Sequence, residues 1–355
     1  MKEIDLLKLT ETLIKIPSVS FQEEKIAEFI FGFLTEFSHV KAARIGDCVY
    51  ATIVGKDTTK TLCMAGHIDT VPENNNLDPK YNVEKLIGLG ATDMKGGLAV
   101  MLKLAATLDN PIFNMKFIFY PREEVDSKFN GLRELYGIDS AYLESDAAIL
   151  LEPTNGYIEA GCQGVIKLKI KICGQRAHSA RPWMGINAIH RSYGVIRALN
   201  DFAAEEPTVD SLQYRESFQA VLIEGGVATN VVPDEVIITA SYRFAPNKTS
   251  AEALGYIKGY MAEYLDEDLG DGIEVVDVAD PASPGVSNEL IKEIIANAHG
   301  IKPKFGWTDV AFFSKLNIPA INFGPGDAAL AHSPDEFITS ADLEKVYNVL
   351  FDSIR

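Results

Sequence analysis

Residues 164–174, GVIKLKIKICG, alternate without exception: Ile166, Leu168, Ile170 and Ile172 are separated by Lys167, Lys169 and Lys171. Successive side chains of a strand point to opposite faces, so this strand must have one dry face and one wet face. That is the pattern of an antiparallel sheet covered on one side only. EVIITASYRFAP, at 235–246, is a second strand of the same kind. Upstream the texture differs. CVYATIVG (48–55), TLCMAG (61–66), MKFIFY (115–120) and DAAILLEP (146–153) read as strands, and runs such as AAILL are apolar on both faces. Such strands belong in a sheet with helices on both sides. Two kinds of sheet require two bodies, and 355 residues suffice for both.

The boundaries follow from where the texture changes. Helical periods are predicted over 22–36, with Ser20 and Glu23 as a capping box, and over 94–108. Further helices are expected in INAIHRSYGVIRALNDF, SAEALGYIKGYMAEYL and NELIKEIIANAHG, and from about 341 to the end. The apolar segment IPAINFG resumes the α/β pattern. The reading is an α/β domain over 1–164 and 280–355, interrupted by an α+β domain over 165–279 with a one-sided antiparallel sheet.

Bulk properties exclude some functions. With 33 bases against 50 acids the net charge is −17, which disfavours nucleic acid because phosphate neutralisation needs Lys and Arg. No apolar run approaches the roughly 18 residues of a membrane-spanning helix. The opening MKEIDLLKLTETLIKIPSVS has no uninterrupted apolar core, so no signal peptide is expected and the cytoplasm is the expected compartment. Cys48, Cys63, Cys162 and Cys173 are scattered without framework spacing and read as small buried hydrophobes.

Chemistry-bearing residues cluster near strand ends. His67 and Asp69, in AGHIDTVP, share one side of an extended segment, as suits an imidazole organised by a carboxylate. Alone, the pair is better read as a loop histidine beside a turn aspartate. Asp93, in GLGATDMKGGLAVML, follows a glycine-rich loop that matches neither phosphate-cradle motif. It is either a helix N-cap or a carboxylate able to bridge two cations. Glu123 and Glu124 stand side by side in YPREEVDS, after the strand stopped by Pro121. Adjacent carboxylates repel unless a strong positive charge is near, and a divalent cation supplies one. One glutamate could then ligate while the other handles protons; the rival is a solvated acidic turn. Glu152 follows the strand AAILL, and His332 lies in GPGDAALAHSPDEF. Two imidazoles and three carboxylates suit catalytic zinc or a pair of zinc-like ions. Neither HExxH nor GxSxG is present.

Taken in order, AGHIDTVP, GATDMKGGLAVML, EEVDSKFNGL, LLEPT, GQRAHSARPWMGINAIH, GGVATNVVPDE, YRFAP, GWTDVAFF and NFGPGDAALAH resemble the dinuclear-zinc aminoacylase/carboxypeptidase family of metallopeptidases. The resemblance implies a mixed-sheet zinc-peptidase catalytic domain with helices on both faces, and an inserted lid and dimerisation domain. It implies two divalent metal ions, zinc with cobalt as an alternative in one site. Asp93 would bridge them, His67 and Glu152 would complete one ion's ligands, and Glu124 and His332 the other's. Asp69 would support His67, and Glu123 would be the general base of amide hydrolysis. His178 would reach the active site of the second subunit of a homodimer. Arg243, Asn230, Thr308 and Arg181 would bind a small anionic N-acyl amino acid. Phe312 departs from the pattern, standing where one acyl-releasing branch of the family usually carries arginine. A non-catalytic binding protein on the same fold would lack ligands, whereas all five and Glu123 are present here.

Overall fold

The computed structural model describes residues 4–355. The chain divides into two compact units. The first comprises the residues up to Gly161, together with Pro284–Lys302 and Phe312–Arg355; the second comprises Cys162–Ser283 and Pro303–Ala311.

Unit one is built on an eight-stranded mixed sheet. Its order is Lys41–Ile45, Cys48–Ile53, Phe113–Tyr120, Asp57–His67, Ala147–Leu150, Ala320–Asn322, Ile158–Ala160 and Ile301–Pro303. The strand Asp57–His67 runs parallel to both neighbours, Phe113–Tyr120 and Ala147–Leu150. Register aligns His67 with Tyr120 and Ala65 with Leu150, so the residues that follow those three strands emerge at the same edge. The carboxyl ends of parallel strands are where such sheets place their ligand sites. Leu62, Met64, Phe117, Phe119 and Ile149 share one core with side chains of Leu6–Ile14, Glu24–Thr35, Gly96–Thr107 and Ser340–Ile354. Each fully buried large aliphatic or aromatic side chain contributes about 1.5–3 kcal/mol. The helix Gly96–Thr107 is buried nearly all round, and its first turn lies against the strand end that carries Glu152. A Cβ at Gly97 would stand 2.4 Å from the Leu151 carbonyl oxygen, so only glycine permits that approach.

Unit two holds a four-stranded antiparallel sheet in the order Ser217–Gly225, Glu235–Phe244, Gly164–Cys173, Gly272–Ala279. Ile166, Leu168, Ile170 and Ile172 are buried with residues of the helices Ala188–Asn200 and Ser250–Ala262, while Lys167, Lys169 and Lys171 are exposed. The one-sided burial is the one that the alternation predicts.

One local expectation fails. The second helix starts at Glu24, and its N-cap Glu23 makes no side-chain cap bond. Ser20 makes no capping box, because its hydroxyl is used by Asp69 at 2.7 Å, and Phe21 between them has φ 72°. All four cysteines are free, and burial pushes the Cys48 and Cys63 thiols up to about 12. Among the described residues no helix is long and apolar enough to cross a membrane.

Candidate metal centre

The adjacent glutamates are explained by the backbone that follows Pro121. Arg122 takes φ 64°, in the left-handed region that a bulky residue seldom adopts, and this breaks the strand's alternation. Its guanidinium secures the turn by donating from Nε to the Phe129 carbonyl at 2.7 Å and by pairing with Glu134. The amides of Glu123 and Glu124 then both point at one carboxylate: Glu123 N–H donates to Asp69 Oδ1 at 3.0 Å and Glu124 N–H to Oδ2 at 3.1 Å. Asp69 is therefore more than a partner for His67. Its carboxylate ties together the Ser20 hydroxyl and both glutamate amides, while its backbone carbonyl lies 3.1 Å from His67 Nδ1. Burial would raise the Asp69 carboxyl, but the facing His67 ring, with the Glu123 amide and the Ser20 hydroxyl, holds it below its ordinary range.

Three overlapping groups converge at this edge. His67, Asp93 and Glu152 form one; Asp93, Glu124 and His332 form another; His67, Glu123 and Glu124 form the third. Within each group the candidate ligand atoms lie within 4.8 Å of one another. The Asp93 oxygens divide between two imidazoles: Oδ1 is 3.0 Å from His67 Nε2, and Oδ2 is 3.6 Å from His332 Nε2. His332 Nε2 is also 2.9 Å from Glu124 Oε1. His332, like Arg122, has a positive φ, 62°. Non-glycine residues held there concentrate at functional sites.

Electrostatics follow from this crowding. Burial alone would lower the His67 pKa, but Asp69, Asp93 and Glu152 outweigh it and raise the value well above the ordinary one. His332 is raised in the same way, by Glu124 and Asp93 against burial. Burial raises Glu124, with Asp93 adding to the effect and the two imidazoles opposing it. Two nitrogens and three carboxylates without a thiolate form a donor set that fits zinc or a similar divalent ion, and the sharing of Asp93 between two groups fits a pair of ions.

Asp93 is not the helix N-cap that its position allows. It lies in an irregular turn, Ala91–Lys95, with φ −118° and ψ 93°, ahead of the helix proper. No local sequence pattern singles out Glu336, which holds this turn. The buried Glu336 carboxylate accepts from the amides of Gly90, Thr92 and Asp93 at 3.1, 2.7 and 2.9 Å. Burial raises its pKa to about 7 against the pull of those N–H groups. The one signal available in the sequence was an acid four residues after His332, inside an otherwise assigned motif.

The remaining candidates lie in unit two. His178 ends the first strand of a short two-stranded pairing, opposite Val231, and Asn230 precedes the second strand. Ser179 N–H donates to the Asn230 carbonyl at 2.9 Å, and Arg181 N–H donates to the His178 carbonyl at 2.8 Å, so these three residues are neighbours and all exposed. Arg243 is half-buried on the strand Glu235–Phe244, opposite Ser217 and Val165, and burial lowers its pKa. Thr308 is buried, with its carbonyl facing the Cys162 thiol at 3.8 Å. Phe312, in unit one, packs edge-on against Tyr136 with ring centroids 6.0 Å apart, under the Arg133 guanidinium.

The sequence profile described as "Peptidase family M20/M25/M40" matches residues 63–355. The Mycobacterium tuberculosis protein DapE is 41% identical over 352 residues, covering 98% of this chain and 97% of its own length. A succinyl-diaminopimelate desuccinylase of Corynebacterium glutamicum is 40% identical over 341 residues, covering 94% and 91%. Among solved structures, the aminopeptidase PepT of Bacillus cereus superposes with a TM-score of 0.79 at 20% identity, covering 98% of this chain and 97% of that one.

Proposed function

Because this chain belongs to peptidase family M20/M25/M40 and is a metal-dependent hydrolase, we propose that it cleaves N-succinyl-LL-2,6-diaminopimelate to succinate and LL-2,6-diaminopimelate, a step of lysine and cell-wall precursor synthesis in the cytoplasm. The observation that carries the substrate is the 40% identity to the Corynebacterium desuccinylase over nearly the whole of both chains.

His67 and Glu152 would hold one divalent ion, Glu124 and His332 a second, and Asp93 both. Zinc fits this donor set, with cobalt as an alternative in one position. Bound there, the ions supply Lewis-acid polarisation of the amide and acidify the attacking water. The chain's own residues do the rest. Glu123, whose carboxylate belongs to the group with His67 and Glu124, accepts the water's proton and returns it to the leaving amine. A positioned base of this kind contributes about 10²–10⁴-fold. Asp69 fixes both glutamate amides and the His67 ring, so base and ligands keep one mutual geometry. Arg243 offers a planar fork for a substrate carboxylate, with Asn230, Thr308 and Arg181 as further contacts.

The working form is a homodimer in which His178 of one copy steadies the developing oxyanion in the other. This is supported by an apolar strip on unit two. The edge strand Ser217–Gly225 exposes Val221, Leu222 and Ile223, and the helix Ala188–Asn200 exposes Ile189, Tyr193 and Ile196. An apolar open edge invites pairing, and a second copy of the same chain closes it.

Phe312 favours a second reading, in which the acyl group is smaller than succinyl and the substrate resembles N-acetylornithine. Turnover of the two substrates, measured beside metal content per chain, decides. Preference for N-acetylornithine rejects the first reading. Light scattering that finds an active monomer rejects the role of His178 across subunits.

A further inference from the structure

The turn that carries Asp93 presents three backbone N–H groups in the same direction, from Gly90, Thr92 and Asp93. A concavity of successive amides is an anion-binding element. Here the anion is the chain's own Glu336, whose side chain is almost wholly buried. Oε1 takes the Thr92 and Asp93 amides and Oε2 takes Gly90. The same segment adds two main-chain holds: Gly88 N–H donates to the Glu336 carbonyl at 3.0 Å, and the Thr92 hydroxyl to the Phe337 carbonyl at 2.6 Å. A carboxylate buried next to Asp93 carries a desolvation cost, so packing alone is a poor account of its presence.

We propose that Glu336 is a positioning residue: by clamping the amides of residues 90–93 it orients Asp93 so that its two oxygens serve two cations at once. This rests on the reading of Asp93 as a shared ligand. The geometry is direct. The Asp93 N–H is fixed at 2.9 Å, its dihedrals depart from the helical values that follow, and its oxygens then face His67 on one side and His332 on the other. Glu336 lies four residues after His332, so one short segment delivers an imidazole and sets the carboxylate opposite it.

Glu336→Gln separates this role from packing. It keeps size and shape, but its single carbonyl serves at most two of the three amides, and its NH₂ meets an N–H donor to donor. Metal-free wild type and variant are titrated with Zn²⁺ by calorimetry, and kcat, KM and the Tm of the metal-free forms are measured. The expected result is a stepwise Kd weakened about 10–100-fold for at least one ion, with kcat reduced and KM nearly unchanged. Wild-type Kd values in the variant overturn the proposal, and so does a lowered Tm with Kd and kcat unchanged, which marks a packing residue only. Glu336→Asp keeps the charge and shortens the reach, and serves if the glutamine variant does not fold. An intermediate loss of zinc affinity is expected, and wild-type affinity overturns the proposal. A wild-type chain that binds fewer than two ions is a different failure: it removes the shared-ligand reading, and the bridging role of Glu336 with it.

Discussion

Unit two sets buried carboxylates against permanent cations, whereas the half-buried carboxylates at the candidate site of unit one face imidazoles. In unit two, Asp271 accepts from Arg191 Nη1 and Nη2 at 2.9 and 2.7 Å and from the amides of Cys173 and Asp266 at 2.7 and 2.9 Å. Glu216 accepts from Lys248 Nζ at 2.8 Å, the Tyr242 hydroxyl at 2.6 Å and the Ala245 amide at 3.0 Å. In unit one, Asp93 and Glu124 face the imidazoles of His67 and His332. Guanidinium and ammonium groups remain charged at neutral pH and hold no lone pair for a metal, so the unit-two sites are closed. An imidazole can lose its proton and become a ligand itself. A carboxylate held by arginine or lysine is therefore closed to a metal, whereas Asp93 and Glu124 face groups that can themselves become ligands.

The widest break in the comparison is metal removal. Exhaustive chelation is expected to reduce amide hydrolysis to background, with recovery on adding Zn²⁺. Saturating metal at 100 times Kd should stabilise the chain by about 2.7 kcal/mol. Full activity in protein verified metal-free would end the reading of unit one. Glu123→Ala comes next: kcat should fall about 10²–10⁴-fold while both ions remain bound. Near wild-type kcat would assign the proton to another group. Neither treatment touches the ion pairs of unit two.

The sequence displayed unit two better than the site. Strict alternation at 164–174 sets both register and face, because a one-residue slip would drive Lys167, Lys169 and Lys171 into the core. The strands of unit one were legible as doubly apolar runs for a similar reason. Taken one by one the candidate ligands show only as strand-end polar residues, and the family resemblance alone groups them, since convergence depends on the parallel register of Asp57–His67 with both neighbours. Apart from Asp69, expected beside His67, the supports were not legible. Ser20 looked like an N-cap and serves Asp69, because its hydroxyl satisfies an acceptor 49 positions away. Glu336 meets amides more than 240 positions away. Local pattern carries the elements, whereas long-range hydrogen bonds decide which polar residues hold the site.

The third expectation tests whether unit two is closed by its permanent cation. Arg191→Met keeps the stem and removes the charge, leaving Asp271 buried beside two amides. Removing one partner of a fully buried pair costs about 3–5 kcal/mol, and because Arg191 is only half-buried the loss should fall towards or below the lower end of that range. Denaturant unfolding should show that loss, with the metal stoichiometry of unit one unchanged. A loss below 1 kcal/mol would show that the amides suffice without Arg191, and the contrast between the units would weaken.

The smallest effect is the pH dependence of that same pair, and its sign is fixed by Asp271. Burial would raise its pKa, but Arg191 and the amides of Cys173 and Asp266 prevail and the folded value is lowered. A carboxylate lowered on folding stabilises the native state fully above its unfolded pKa of about 3.9, and that contribution is lost as pH falls through the lower folded value. In Arg191→Met the opposing cation is gone, so Asp271 takes up its proton at a higher pH and the buried charge disappears earlier. Wild type therefore loses stability on acidification where the variant is relieved. The difference in unfolding free energy between them should narrow steadily from pH 6 towards pH 3. A difference that stayed constant over that range would mean that Arg191 acts through packing of its stem rather than through its charge on Asp271.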